Sequence, residues 1–248
     1  MPLSVAIITR NAEAELDACL ASIAFADEVV VVDSGSTDGT IALAARHGAR
    51  VIRKEWLGFG RQKQFAVEAT SHDWVLCVDA DERVGAGMRD AILAELKSPR
   101  GFVYAVARRN RFLGRWLAHG EGYPDWSVRL FHRSHARWSS DAVHEKVVAE
   151  SPVHRLAGDL LHDSAESLEK YLGKQNRYTS LQAEALHAAG RRAGLLQLVF
   201  SPILRFVKFY VLRLGFLDGL PGLVHIVIGC MNSFCKYAKL IELRRRAK

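Results

Sequence analysis

Residues 73–82 read DWVLCVDADE. A run of apolar strand formers ends here in two carboxylates, Asp79 and Asp81, which are separated by one small residue. Open α/β folds bind their ligands at the carboxyl ends of the strands, so this stretch predicts a buried strand with two hard oxygen ligands at its tip. Such a pair suits a divalent cation that grips a diphosphate. Aspartates at a strand end can also form a turn and cap a helix, so neighbouring motifs are needed to decide between the two interpretations.

The residues before this stretch alternate between strand and helix patterns. Apolar, β-branched runs occur at Ser4–Thr9, Glu28–Val32 and Arg50–Arg53, and helical spacing follows each run. Strands that alternate with helices of this length predict right-handed parallel βαβ units. We therefore expect an α/β fold with a mostly parallel, Rossmann-like sheet flanked by helices. The second run leads into DSGSTDGT, which places Asp33 at another strand tip.

Seven stretches, in order over most of the chain, resemble one known family. They read SVAIITRN, ADEVVVVDSGSTDGT, EWLGFGRQKQFAVEA, DWVLCVDADERV, YPDWSVRLF, VHE and FLDG. The chain resembles the inverting family 2 glycosyltransferases with the GT-A fold, and within them the bacterial lipopolysaccharide core glucosyltransferase group known as WaaE or KdtX. DSGSTDGT and DADE are specific for the superfamily, while EWLGFGRQKQ and FLDG narrow the resemblance to this group.

The resemblance implies a nucleotide-sugar site at the strand tips. Asp33 is expected at the uracil, with Thr9 and Glu13 lining the first strand-to-helix turn, although Asp33 or Asp38 could instead cap the helix near Thr40 and Glu13 could be an ordinary first-turn acid. A loop with two glycines is expected to bring Arg61 and Lys63 to the phosphates or ribose, before a helix from about residue 62 to residue 69. Asp79 is assigned to the ribose and Asp81 to Mn²⁺ or Mg²⁺ bridging both phosphates.

The segment 101–148 is expected to complete the acceptor half of the site. An inverting transfer needs a group that takes the acceptor proton and a cation that holds the departing diphosphate. Glu145 is the first candidate for the base, and Asp141 and Asp125 remain alternatives. His144 could be a metal ligand, an acceptor contact or a structural hydrogen-bond partner. Arg129 could stabilise the leaving group or face solvent from a half-buried strand.

The charge of the chain is divided unevenly. The net charge is +7, made up of −2 over residues 1–165 and +9 over residues 166–248. We expect a catalytic domain at 1–165 and a helical, membrane-associating region at 166–248, with 168–188 as an ordinary linking helix. Residues 195–217 are apolar and long enough to span a bilayer, but Pro202 and three cations interrupt them. Because Arg205, Lys208 and Arg213 share one sector of a helical wheel, a basic amphipathic helix on an anionic membrane surface is favoured over a spanning helix.

The remaining composition indicates where such a protein would work. The amino terminus already has a strand pattern and no secretory signal, and the four cysteines lack the spacing of a zinc site or a disulfide framework. We expect a peripheral or monotopic protein on the cytoplasmic face of a bacterial inner membrane. The predicted reaction moves a hexose, with UDP-glucose as the expected donor, onto a lipopolysaccharide inner-core heptose or a similar lipid-linked glycan.

Two other function classes fit these residues less well. A nucleotidyltransferase would normally start with a glycine-rich phosphate loop, which SVAIITRNAEAEL lacks. A catalytically silent membrane-surface binding module would not need acids at several strand ends. Nucleic-acid binding is not expected, because the positive charge is interleaved with apolar residues.

Overall fold

The computed structural model describes residues 1–140, 145–163 and 167–246. The chain divides into two compact units, of which the first contains Met1–Arg109 and Asp125–Asp163 and the second contains Asn110–Pro124 and Ser164–Lys248. The segment 110–124 therefore belongs to the second unit, whereas the sequence placed it in the domain 1–165. The physical reason lies in polar contacts within the second unit: Asp218 accepts hydrogen bonds from the backbone N–H groups of Ala118 and His119.

The first unit alternates strands and helices over its first half and consists mainly of strands over its second. Its helices are α1 (Glu13–Ser22), α2 (Thr40–Arg46), α3 (Phe59–Glu68) and α4 (Ala86–Lys97). The strands are β1 (Leu3–Thr9), β2 (Glu28–Asp33), β3 (Arg50–Arg53), β4 (Trp74–Cys77), β5 (Glu82–Val84), β6 (Val103–Phe112), β7 (Arg115–Trp116), β8 (Asp125–His132), β9 (Ala136–Trp138), β10 (Val147–Ala149) and β11 (Val153–His162). The end of β6 and all of β7 belong to the second unit.

Among the described residues the main sheet has the order β3-β2-β1-β4-β8-β6-β11-β5. Strands β3, β2, β1 and β4 pair in parallel, as the alternation of strands and helices predicts. From β4 onward the pairs β4–β8, β8–β6 and β11–β5 are antiparallel. The expected α/β fold of the GT-A type is confirmed, with the difference that the sheet is mixed because the later strands follow one another without crossover helices.

Both faces of the sheet are covered. Val5 and Ile7 of β1 belong to one buried cluster and Ala6 between them to another, as the alternation of side chains along a strand requires. Residues of α1, α2 and α4 join the first cluster, whereas residues of α3 and β9 join the second. The β-branched runs read from the sequence are therefore buried on both sides, which fixes the positions of their carboxyl ends.

The second unit is built from helices. It contains α5 (Leu168–Ala188), α6 (Leu195–Phe206), a π-helical turn (Val207–Leu212), a 3₁₀ turn (Gly215–Asp218) and α7 (Gly219–Arg246). The linking helix predicted over 168–188 is confirmed, and the break that follows it contains Gly190 in the left-handed region and Gly194 as the N-cap of α6.

Two of the three cations assigned to the membrane are engaged inside this unit, which corrects that part of the expectation. Arg205 forms an ion pair with Glu121, and Arg213 donates a hydrogen bond to the carbonyl of Tyr123. Lys208 is exposed. The sequence could show that the cations share a sector of the helix, but it could not show that the segment 110–124 supplies partners for two of them.

Candidate functional site

The tips of three parallel strands define one edge of the sheet in the first unit. In the register of β1 and β2, Thr9 lies opposite Asp33, and β4 pairs with the other side of β1. The backbone N–H of Val78, just after β4, donates to the carbonyl of Ala6. The sequence predicts this arrangement, since the ends of adjacent parallel strands reach the same sheet edge.

Asp33 is fully buried and holds the turn that follows β2. One oxygen accepts from the backbone N–H groups of Gly35 and Ser36 at 3.0 and 2.9 Å, and the other accepts from the hydroxyls of Ser36 and of Thr9, the latter at 3.1 Å. Burial opposes ionisation, yet these hydrogen bonds together lower the pKa of Asp33. The carboxylate therefore fixes the shape of the turn at the strand tip.

The rest of this turn is held by residues of the β1–α1 connection. Glu13 accepts a hydrogen bond from the backbone N–H of Gly39 at 2.9 Å, and Asn11 accepts one from Thr37 at 2.8 Å. Asp38 accepts from the backbone N–H of Thr40 at 3.1 Å. Asp38 thus accepts from the first backbone N–H of α2, whose N-cap is Gly39 without a side-chain cap, and Asp33 does not cap this helix.

Helix α3 begins earlier than the sequence indicated. It starts at Phe59, so Arg61 and Lys63 lie in the helix and not in a preceding loop. Arg61 is exposed and lines a shallow surface pocket with Trp138 and Ser139, whereas Lys63 is buried. The structure therefore separates the two cations that were expected to act together.

The buried ammonium of Lys63 contacts two predicted site acids. Its Nζ lies 2.9 Å from Oδ1 of Asp79 and 3.7 Å from Oε1 of Glu145, and it sits 4.7 Å from the centre of the Trp138 ring. An ammonium over an aromatic face gains attraction from the ring as well as from the carboxylates. Lys63 consequently brings together Asp79 from the donor half and Glu145 from the acceptor half.

Arg129 continues this set of ion pairs on the other side of Asp79. Its Nη2 lies 3.0 Å from Oδ2 of Asp79 and 2.6 Å from Oε1 of Glu82, and its side chain is only 3% exposed. The solvent-facing alternative for Arg129 is therefore wrong. Its direct contact with a nucleotide sugar stays a prediction, and the observed contacts of its guanidinium are with Asp79 and Glu82.

The same set of ion pairs reaches Asp125. Arg108 donates to Oδ2 of Asp125 at 2.9 and 2.6 Å, and another of its nitrogens lies 3.6 Å from Glu82. Cations and acids thus alternate from Glu145 through Lys63, Asp79, Arg129, Glu82 and Arg108 to Asp125.

The pKa values of the two acids at the centre of this network, Asp79 and Glu82, shift in opposite directions. Burial raises the pKa of each, but Arg129 and Lys63 together hold the pKa of Asp79 well below its usual range. Glu82 is fully buried and its pKa is raised, because desolvation outweighs the attraction of Arg129. Asp79 therefore carries its negative charge at neutral pH.

Asp81 is held by a histidine that the sequence did not single out. His162, at the end of β11, places Nε2 3.2 Å from Oδ2 of Asp81. Burial opposes the charged form, but this contact with His162 lowers the pKa of Asp81. Over the described ranges no three His, Cys, Asp or Glu side chains converge as a metal cluster. A carboxylate with an imidazole nitrogen nevertheless fits a cation that takes its other ligands from substrate phosphates and water.

Glu145 is half-buried, and its position depends on a close approach to α3. A Cβ added to Gly60 would lie 2.0 Å from the carbonyl oxygen of Ser139 and 3.3 Å from Cβ of Glu145. Only glycine fits at this contact. Asp141 and His144, which were predicted as an alternative base and as a metal ligand, lie outside the described residues.

Four residues that sequence reasoning missed also shape the site. Gln62 is fully buried and connects the turn after β2 with the segment before α3. It donates a hydrogen bond to the hydroxyl of Ser34 at 3.0 Å and accepts one from the backbone N–H of Leu57 at 3.2 Å. The others are Glu82, Arg108 and His162. Glu82 directly follows DAD and could have been noticed, whereas His162 is 81 residues from its partner and carries no local signal.

Comparisons with known proteins agree with this geometry. The model of glycosyl transferase family 2 matches residues 4–155. The lipopolysaccharide core biosynthesis glycosyltransferase LpsC of Rhizobium meliloti is 33% identical over 250 residues, which cover 98% of this chain and 93% of that protein. An uncharacterized glycosyltransferase of Rickettsia typhi is 32% identical, over 99% of this chain and 89% of its own length.

A solved structure supports the fold. Staphylococcus aureus TarS, residues 1–349 in complex with UDP, superposes with a TM-score of 0.53 at 17% identity and covers all of this chain and 92% of that one. At this identity the likeness concerns the fold alone. The predicted family is confirmed by the family model and by the near full-length relatives: the chain belongs to the family 2 glycosyltransferases and is a glycosyltransferase enzyme.

Proposed function

We propose that this enzyme transfers a hexose, with inversion, from a nucleotide sugar to a lipopolysaccharide inner-core heptose or a similar lipid-linked glycan. The observation that carries the proposal is the acidic pair at the end of β4, where Asp81 faces His162 and Asp79 is held between Lys63 and Arg129. The acceptor class is taken from the name of the relative LpsC, which is similar over nearly its whole length. UDP-glucose is the donor that we propose to test first.

The donor half of the site is proposed at the turn after β2. A buried, ionised Asp33 and the rigid turn around it offer a fixed polar edge, which suits a uracil base. Thr9 and Glu13 hold the same turn, so their proposed function is to shape the base pocket. We propose that Asp79 faces the ribose, while Arg61, exposed on α3, is proposed to reach the phosphates or ribose only at the periphery of the site.

A divalent cation, Mn²⁺ or Mg²⁺, is proposed at Asp81 and His162. When bound, it would neutralise the charge that develops on the nucleoside diphosphate as the glycosidic bond breaks. Hydrogen bonding to His162 favours the charged form of Asp81, and Nε2 of His162 lies 3.2 Å from Oδ2 of Asp81, so the two side chains could contact one ion. Mg²⁺ commonly uses one or two protein carboxylates together with substrate phosphates, which agrees with this small set of ligands.

Glu145 is the proposed general base. Its contact with Lys63 fixes it near Asp79, and a base must lie within reach of the acceptor hydroxyl when the sugar is held at the donor side. Asp125 is less suited to this role, because both of its short contacts go to the Arg108 guanidinium, which occupies its Oδ2. Asp141 remains an alternative on sequence grounds.

We also propose that the enzyme works at the cytoplasmic face of the bacterial inner membrane. A soluble nucleotide sugar and a lipid-linked acceptor meet at that surface. The support is compositional and structural: residues 166–248 carry a net charge of +9, and two apolar helical segments, Leu195–Leu212 and Gly215–Arg246, are long enough to cross a bilayer. An anionic membrane surface is the partner that this charge favours.

A donor screen tests the proposal. The purified enzyme is given a panel of UDP-, GDP-, ADP- and CMP-sugars with Mn²⁺, Mg²⁺ or EDTA, in the presence of heptose-terminated lipopolysaccharide, and free nucleotide is measured. We expect acceptor-dependent release of one nucleotide that EDTA abolishes, and a product with the opposite anomeric configuration to the donor. A product with retained configuration, or transfer that is unaffected by EDTA, would contradict the mechanism.

A further inference from the structure

One face of α6 carries an apolar stripe that is exposed to solvent. Its members are between 42% and 68% exposed, and none of the segment Leu195–Leu212 is buried. The four members in α6, residues 196, 200, 203 and 204, fall within a sector of about 100° at about 100° per residue, and residues 207 and 211 follow in the π-helical turn. The stripe consists of Leu196, Phe200, Ile203, Leu204, Val207 and Val211. Contiguous exposed apolar surface of this kind marks an interaction site.

The other face of the same helix is used inside the second unit. Arg205 pairs with Glu121, Arg213 donates to the carbonyl of Tyr123, and the hydroxyl of Ser201 lies 2.9 Å from that of Ser233 in α7. Lys208 is exposed at the border of the stripe. The helical segment therefore has one side with polar contacts inside the unit and an exposed apolar stripe.

We propose that this stripe rests in the headgroup–acyl boundary of an anionic phospholipid bilayer, with α6 parallel to the membrane surface. Charge complementarity favours an anionic bilayer over other occupants, because residues 166–248 carry a net charge of +9 and the exposed cations include Lys208, Arg191 and Arg192. The internal cations Arg205 and Arg213 act on the fold of the unit and not on lipid. This assignment differs from the simple basic face that the sequence suggested.

A spanning orientation conflicts with the contacts of the opposite face. At about 1.5 Å per residue, the segment 195–212 is about 27 Å long and could cross the hydrocarbon core on length alone. However, Arg205 of this segment pairs with Glu121 of the segment 110–124, which in turn donates hydrogen bonds to the buried carboxylate of Asp218. A spanning helix would carry these groups into hydrocarbon, where charged side chains and irregular backbone are costly.

Leu214 is an exposed leucine directly after the helical segment that carries the stripe. It follows the stripe at the turn into α7, has φ of 55° and is 45% exposed. Leucine is unfavourable in the left-handed region, whereas asparagine is tolerated there. Leu214→Asn should therefore keep or raise the thermal stability of the protein while it removes an apolar side chain from the proposed contact.

The inference rests on the membrane association proposed above, and vesicle binding tests it separately from glycosyl transfer. The full chain is sedimented with vesicles of phosphatidylcholine, alone or mixed with phosphatidylglycerol. We expect the wild type to bind the anionic vesicles more strongly, with binding that weakens but persists in salt. Phe200→Gln with Leu204→Gln should lower the partition coefficient by about 30-fold, or about fivefold per side chain, and Leu214→Asn by about threefold. Donor hydrolysis without acceptor, measured in parallel, should remain as in the wild type.

The matched control is Leu93→Gln, which replaces an exposed leucine of α4 in the first unit and should leave vesicle binding unchanged. The proposal is overturned if the double variant and Leu214→Asn, both folded by circular dichroism, sediment as the wild type does. It is also overturned if the wild type does not bind vesicles but forms a dimer that the double variant dissociates. That result would assign the stripe to an interface between two copies of this chain.

Discussion

Replacing Gly60 by alanine tests whether the position of Glu145 matters for turnover, because the substitution leaves the carboxylate of Glu145 itself unchanged. The new Cβ would lie 2.0 Å from the carbonyl oxygen of Ser139, whereas side-chain carbons do not approach closer than about 3 Å, so the strand end must move by about 1 Å. A misplacement of about 1 Å can lower turnover by about 10²-fold. Overpacking of this kind also costs about 1–3 kcal/mol of stability.

Gly87→Ala is the matched control. Gly87 is the second residue of α4 as Gly60 is of α3, and its added Cβ would meet its nearest neighbour at 3.8 Å, an ordinary contact. This variant should retain turnover and gain up to about 1 kcal/mol, because alanine loses less backbone entropy in a helix.

The two variants are compared by kcat of nucleotide release at saturating donor and acceptor and by calorimetric affinity for the free nucleotide. We expect Gly60→Ala to lower kcat with little change in nucleotide affinity, because Asp33 and Asp81 lie on other elements. If Gly60→Ala turns over as fast as Gly87→Ala, the position of Glu145 does not limit the reaction and the assignment of the base is wrong.

Three further outcomes follow from named contacts. Asp81→Asn and His162→Gln should each weaken Mn²⁺ binding by at least about tenfold in a Mn²⁺ titration followed by electron paramagnetic resonance, and a wild-type curve for either would remove that residue from the metal site. Glu145→Gln should lower the transfer rate by about 10² to 10⁴-fold, whereas Asp125→Asn should leave most of it; the reverse ranking would transfer the role of base to Asp125. Partial burial of Glu28 opposes its ionisation, but hydrogen bonds from Ser4, Arg50 and Ser71 lower its pKa from 4.5 to about 2. Because the folded-state pKa is depressed, the Tm advantage of the wild type over Glu28→Gln should be full above about pH 5.5 and should shrink as the pH falls from about 4.5 toward 2, and a difference that is constant over that range would contradict this origin.

The sequence predicts elements whose signals are local. The apolar runs that end at Thr9 and Asp33 are strands with those ends, and the helix at 168–188 has the predicted bounds. Helix α3 is a failure of boundary prediction, because its N-cap is Gly58 with φ of 91° and no capping side chain announces it. The side chain of Gln62, in the first turn of α3, instead accepts a hydrogen bond from the backbone N–H of Leu57, which precedes the helix.

The missing parts of the site depend on tertiary contacts. His162 meets Asp81 because β11 ends near the segment after β4, and Arg205 meets Glu121 because 110–124 joins the second unit. A residue type and a helical wheel carry no information about such partners. The prediction of three membrane-facing cations was therefore reasonable from the pattern alone and was corrected only by the contacts.

The alternation of acids and cations around Asp79 keeps the carboxylate of Asp79 ionised. Asp79, whose side chain is 28% exposed, lies beside the fully buried Glu82, so two ionised carboxylates repel each other and desolvation favours protonation. A protonated Asp79 would lose its negative charge and would be a weaker hydrogen-bond acceptor for the ribose hydroxyl that we propose it contacts. Lys63 and Arg129 prevent this, since they contact different oxygens of Asp79. Glu82 is the acid of the pair whose pKa is raised by burial. Lys63 also contacts Glu145. The ammonium that helps to keep Asp79 ionised therefore also lies beside the proposed base.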